Sequence, residues 1–136
     1  GMEGATFYHG NGPYNLEIDG LAVGDDKAAL CSMKLNRGQQ NVFSSVFKHL
    51  LAYISSVDGF RLLQNKTVTL VLLSYEGGEE KVDAQEAWTA YCKNEKRATE
   101  EKDKNSKYLA QGLKNAPEVV VCKSVKVILL RDVMNA

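Results

Sequence analysis

Residues 67–75 read TVTLVLLSY, with β-branched or apolar side chains at both odd and even positions. A strand with that pattern has no wet face, so it belongs in the middle of a sheet and needs cover on both sides. Gly77-Gly78 ends the run. The rest of the chain must supply neighbouring strands and the layers above and below.

The N-terminal third supplies strands. Tyr14, Leu16 and Ile18 alternate with Asn15, Glu17 and Asp19, and Leu30 to Leu35 alternates again, with Cys31, Met33 and Leu35 on one side. Period-two alternation means one buried and one wet face. Gly10-Asn11-Gly12-Pro13 and Gly24-Asp25-Asp26 are turn clusters. Together they predict an antiparallel hairpin from Tyr14 to Leu35.

Phe43, Val46, Phe47, Leu50, Leu51 and Ile54 recur at three- and four-residue steps, the single apolar stripe of an amphipathic helix. The helix should run from about Gln40 to Val57, capped by Asn41 or Asn36 and closed by Asp58-Gly59. His49 then falls with Ser45, Lys48, Ala52 and Ser56 on its polar side.

Asp83 precedes Glu86 by three residues, as in a capping box, and Val82 stands where a hydrophobic staple would meet Ala87. A second helical stretch should begin at Ala84 and turn Ala84, Ala87, Trp88, Tyr91 and Cys92 inward. Asn94–Lys107 is almost wholly polar and reads as a charged helix extension or a mobile segment. One unbroken helix from Ala84 to Lys114 would be roughly 46 Å long, against roughly 35–40 Å for the whole domain. A break near Lys102–Ser106 is therefore expected. Pro117 stops the helical stretch, and Val119 to Leu130 is the last strand region, interrupted by Lys123. The expected fold is one α+β domain over residues 1–136. It has a mixed or antiparallel sheet, an N-terminal hairpin, and two to three helices packed on one or both faces.

Seventeen basic residues balance seventeen acidic ones, which disfavours a nucleic-acid partner. No run of about eighteen apolar residues is present, so no membrane partner is expected. Gly1 before Met2 reads as a residue left by tag removal, with Met2 as the natural start. Three cysteines, Cys31, Cys92 and Cys122, are odd in number and widely spaced, which suits a reducing compartment. The cytoplasm is the expected location.

Each motif with chemical content stands beside a plainer reading. Asp19-Gly20 with Gly24-Asp25-Asp26 suggests a calcium loop, but the spacing misses the closing glutamate and acidic turns explain it. Gly10-Asn11-Gly12 and Gly77-Gly78 could cradle phosphate. The first leads into a strand rather than a helix, and Glu79 and Glu80 after the second would repel an anion. Glu79-Glu80-Lys81 matches the Glu-x-Lys triplet of metal-dependent nucleases, a remote third reading of function. The cysteines could pair with His9 or His49 as nucleophile and base, yet Cys31 and Cys92 fall on apolar faces, where cysteine packs as a small hydrophobe. No Cys-x₂-Cys or His-x₃-His spacing occurs, so no metal or other cofactor is expected.

Two functional expectations follow. The first is a non-enzymatic protein-interaction or self-associating module, with a protein partner or a second copy as its ligand. It rests on the lack of convergent catalytic side chains. The alternative is a small-molecule-binding or enzymatic domain, its site near Tyr75–Glu80 and the N-terminal hairpin. The aromatics with polar handles, among them Tyr14 and Tyr91, could line its pocket. Its candidate ligand-binding residues are Tyr8, His9, Tyr75, Glu80 and Trp88.

Overall fold

The computed structural model describes residues 4–11, 17–34, 42–74, 83–102 and 107–129. The strands are β1 (Thr6–Asn11), β2 (Glu17–Val23), β3 (Lys27–Lys34), β4 (Thr67–Ser74), β5 (Val120–Val121) and β6 (Lys126–Leu129). The helices are α1 (Val42–Ser55), α2 (Val57–Leu63), α3 (Ala84–Lys102) and α4 (Lys107–Asn115), with a 3₁₀ turn at Ala116–Glu118. They form a mixed α+β fold built on one sheet in the order β1-β2-β3-β4, with β5 and β6 both on the far side of β4. β1, β2 and β3 pair antiparallel; β3, β4, β5 and β6 pair parallel. Among the described residues, no helix is long and apolar enough to cross a membrane.

β4 is central, as its composition requires. Val68, Leu70 and Leu72 point into the core shared with Leu21, Val23, Ala28 and Leu30. Its other parity carries Thr69, Val71 and Leu73, of which Val71 is buried and the other two half-buried. The expected cover by helices is one-sided, because successive parallel crossovers in one direction keep one hand and so stack their helices on one face.

The predicted hairpin is β2–β3, closed at Gly24, whose N–H donates to the Lys27 carbonyl at 2.8 Å. The carbonyls of Gly24 and Asp25 accept from Lys66 Nζ at 2.8 and 2.7 Å. An intramolecular ammonium therefore takes up both of these turn carbonyls. β1 enlarges the hairpin to a three-strand meander, and Gly10 and Asn11 belong to this strand rather than to a turn. Opposite β1, the pairing jumps from Tyr8↔Leu21 to Gly10↔Ile18. The extra residue in β2 is a bulge. It lets Ile18 and Leu21 share the core face despite their odd spacing. Asp19 is left outside, with Oδ2 accepting from the Met33 N–H at 2.8 Å.

The inward face of β3 is Ala28, Leu30 and Ser32; Cys31 and Met33 point away from the helices. Both parities of this strand are apolar, so alternation alone does not say which is inside.

α1 is buried on more than its predicted stripe. Val46, Phe47, Leu50, Leu51 and Ile54 are buried as expected, but so are Ala52 and Ser55. α4 packs along α1 and covers it at Leu51 and Ser55. Gly112 makes that approach possible, since a methyl group there would meet Ser55 Oγ and lie 2.8 Å from the Leu51 carbonyl oxygen. Gly59 does not end α1 but lies inside α2. Ser56 separates the two helices: its hydroxyl donates to the Tyr53 carbonyl at 2.9 Å and accepts from the Gly59 N–H at 3.0 Å. Gly59 is glycine because a side chain would collide with the Tyr53 carbonyl. α2 closes at Gln64 and Asn65, the latter in the left-handed region at φ 61° that asparagine tolerates. The expected caps Asn36 and Asn41 lie outside the described residues.

α3 begins where the capping box places it. Asp83 Oδ1 accepts from the Glu86 N–H at 3.0 Å; Val82, the other half of the expected staple, is outside the described residues. Phe47, Trp88 and Tyr91 form an aromatic cluster between α1 and α3, with ring centroids 5.4–6.1 Å apart. The polar stretch is helical through Lys102, and α3 and α4 are separate helices that pack on each other. The last strand region divides into β5 and β6 because its middle serves α3. The Lys123 carbonyl accepts from the Ala84 N–H, and the Val121 N–H donates to Gln85 Oε1, each at 2.8 Å.

Two substitutions test these contacts. Gly112→Ala should lower the urea midpoint. Overpacking costs about 1–3 kcal/mol, more than the about 1 kcal/mol that alanine contributes to a helix; a raised midpoint would show that the helices stand further apart. Asp83→Ala should cost about 0.5–2 kcal/mol in the same melt, and no change would mean that α3 starts elsewhere.

Candidate functional site

One face of the sheet carries all the described helices. The other face is set by strand parity. It presents Phe7 and His9 from β1, Cys31 and Met33 from β3, Thr69, Val71 and Leu73 from β4, and Val120 from β5. Phe7 is 63 % exposed, Met33 49 % and Val120 51 %. A single exposed apolar side chain is ordinary; this sheet face carries three, and half-buried Cys31 and Leu73 lie on the same face. Phe7 rests partly on Gly20 of the next strand, where an added methyl would lie 3.2 Å from Phe7 Cζ. β1 is the first strand of the sheet and pairs only with β2 among the described residues. Its outer edge offers backbone donors and acceptors, the usual template for strand addition.

The residues expected to bind a ligand separate. Tyr8 is half-buried on the helix-covered face, packed against the core near Tyr53, whose hydroxyl pKa is raised by burial and then by Tyr8. His9 is exposed on the opposite face. Trp88 is buried in the core beneath α3. Tyr75 and Glu80 lie outside the described residues, as do Gly77-Gly78 and the Glu79–Lys81 triplet. So the structure brings Tyr8 and Trp88 to the same side of the sheet and His9 to the other. Phe7 has no role in the sequence reading, and Met33 enters it only as part of an alternating strand face. The available signal was that Phe7 and Tyr8 are both aromatic, so β1 has an apolar residue on each face.

Cys92 is half-buried between α3 and α4. Burial, and after it the nearby Glu95 carboxylate, pushes its thiol up to about 12. Burial and then Asp19 also raise the Cys31 thiol. Both shifts run opposite to what a nucleophilic cysteine needs. Cys122 lies on the helix-free face, where its Sγ accepts from Thr69 Oγ1 at 3.4 Å. Among the described residues, no three His, Cys, Asp or Glu side chains are grouped to hold a metal ion.

Trp88 and Cys92 also form part of the wall of a groove of about 420 Å³ between α3, α4 and the 3₁₀ turn. The rest of that wall includes Leu113, Ala116 and Pro117, with Lys93 and Lys96 on α3. Comparison with protein-family models, with curated proteins and with solved structures found no match.

The raised thiol has a consequence for stability. Cys92 holds its proton more tightly folded than unfolded, so its contribution is whole below the unfolded thiol value of about 8.5. It is lost as pH rises from there toward about 12. Urea melts should show stability falling across that window, and the fall should be shallower in Cys92→Ala. Equal slopes in the two proteins would show that Cys92 titrates normally.

Proposed function

We propose that this chain is a non-enzymatic interaction module that self-associates through the helix-free face of its sheet, next to edge strand β1. The observation that carries the reading is the exposure of Phe7 and Met33 on that face. Formal net charge is zero at pH 7, so two copies meet no overall electrostatic barrier.

The energetics suit a weak, reversible dimer. About half of each of these two side chains remains to be buried, worth about 1–1.5 kcal/mol apiece. A twofold interface counts each contact twice, which gives about 4–6 kcal/mol before any β1 hydrogen bonds are added. Losing translational and rotational freedom costs about 4–15 kcal/mol. Dimers at high micromolar to millimolar concentration need about 4–5.5 kcal/mol net, which these two side chains alone do not leave; pairing along β1 must supply the remainder.

Sedimentation velocity tests this. The wild-type coefficient should rise between about 10 μM and about 1 mM. Phe7→Glu and Met33→Glu, with unchanged far-UV circular dichroism, should each remain monomeric over that range. A wild-type protein that stays monomeric throughout, or a dimer indifferent to both substitutions, would overturn the proposal.

A further inference from the structure

The groove between α3 and α4 has a chemistry of its own. Its floor is apolar: Trp88, Cys92, Leu113 and Ala116. Its volume, about 420 Å³, lies within the range of small-molecule sites. Two polar residues at one end are already engaged. Gln85 Oε1 accepts from the Val121 N–H at 2.8 Å and Gln85 Nε2 donates to Thr89 Oγ1 at 3.2 Å. Thr89 Oγ1 in turn donates to the Gln85 carbonyl at 2.9 Å.

Charge enters the described wall only through Lys93 and Lys96. Lys93 follows Thr89 by one helical turn and Lys96 follows Cys92 by one turn, so both ammonium groups stand on the groove side of α3 and both are exposed. Glu95, between them in sequence, is not part of the wall; it is half-buried and has an interaction of its own. The site is thus an apolar trough with a cationic rim; the Glu95 carboxylate, close enough to raise the Cys92 thiol, lies outside its wall.

We propose that this groove binds an amphiphilic monoanion: a small molecule with an apolar body and a single carboxylate. The body lies along Leu113 and Pro117, over the buried Trp88 and Ala116, and the carboxylate sits between Lys93 and Lys96. Lysine suits this role, because a compact ammonium on a flexible stem meets a carboxylate without a fixed fork geometry. The stems of both lysines extend the apolar wall to the rim. This site is independent of the helix-free sheet face.

Trp88 is the chain's single tryptophan, so its emission reports this groove directly. Decanoate below its micelle concentration is the probe. Titration should give a saturable change in Trp88 fluorescence with far-UV circular dichroism unchanged. The paired substitution Lys93→Gln with Lys96→Gln, both at exposed positions, should weaken binding by roughly tenfold, the loss of a charge-assisted contact. Decanol, with the same body and no charge, should bind the wild type weaker by a similar factor. Phe7→Glu should bind decanoate as the wild type does. The proposal fails if decanoate gives no saturable change. It fails equally if decanol and decanoate bind alike, if the lysine pair can be replaced without loss, or if Phe7→Glu removes binding, which would put the ligand on the sheet face instead.

Discussion

The parallel pairing of β3 with β4, in register from Lys27↔Thr67 to Lys34↔Ser74, is the constraint on which the rest of this structure depends. Parallel neighbours cannot be joined by a tight turn, so the chain must leave the sheet and return. It does so through α1 and α2. A second parallel step, from β4 to β5 and β6, requires another return, through α3 and α4. Both steps run in the same direction across the sheet, and the strong preference for one crossover hand puts both helical layers on one face. Among the described residues the opposite face is left to the side chains of the strands, and the proposed interaction surface is a product of that topology.

α1 is the piece that the helical layer is built around. It meets the sheet with one side, α4 with another, and α3 through Phe47. Such a helix cannot afford a polar flank, which explains Ala52 at 1 % exposure and the Ser55 hydroxyl turned back to its own Leu51 carbonyl at 2.6 Å. Gly112 lets α4 sit close, and Asn115 Nδ2 donates to the Ile54 carbonyl at 2.7 Å near the end of α1. α3 diverges from this close pair to reach β5, and the groove opens in the space between α3 and α4.

Polar groups that look chemically suggestive in the sequence are mostly taken up by this framework. Lys66 satisfies the hairpin carbonyls, Asp19 satisfies a backbone N–H freed by the bulge, and Gln85 holds the edge strand. Each gives a backbone polar group a side-chain partner within the protein. The two surfaces proposed to bind are apolar and cationic: Phe7 and Met33 on one face of the sheet, and Lys93 and Lys96 beside Trp88 on the other.

Local order was legible in the residues themselves. Two-sided apolar character identified β4 as central, alternation and a glycine turn identified the β2–β3 hairpin, three- and four-residue steps identified the inward stripe of α1, and Asp83 marked the start of α3. All of these depend on neighbours within about one or two helical turns or one strand length. Trp88 was legible as inward for the same reason, but not as part of a groove. Tertiary structure alone decided which parity of β3 is buried, since Leu30 and Cys31 are equally eligible until a helix chooses a face. It decided likewise that Ala52 is buried, that Gly59 continues a helix rather than ending one, and that Lys66 covers a turn some forty positions away. Those outcomes are set by contacts between segments far apart in the chain, where periodicity carries no information and only packing selects among faces of equal apolar character.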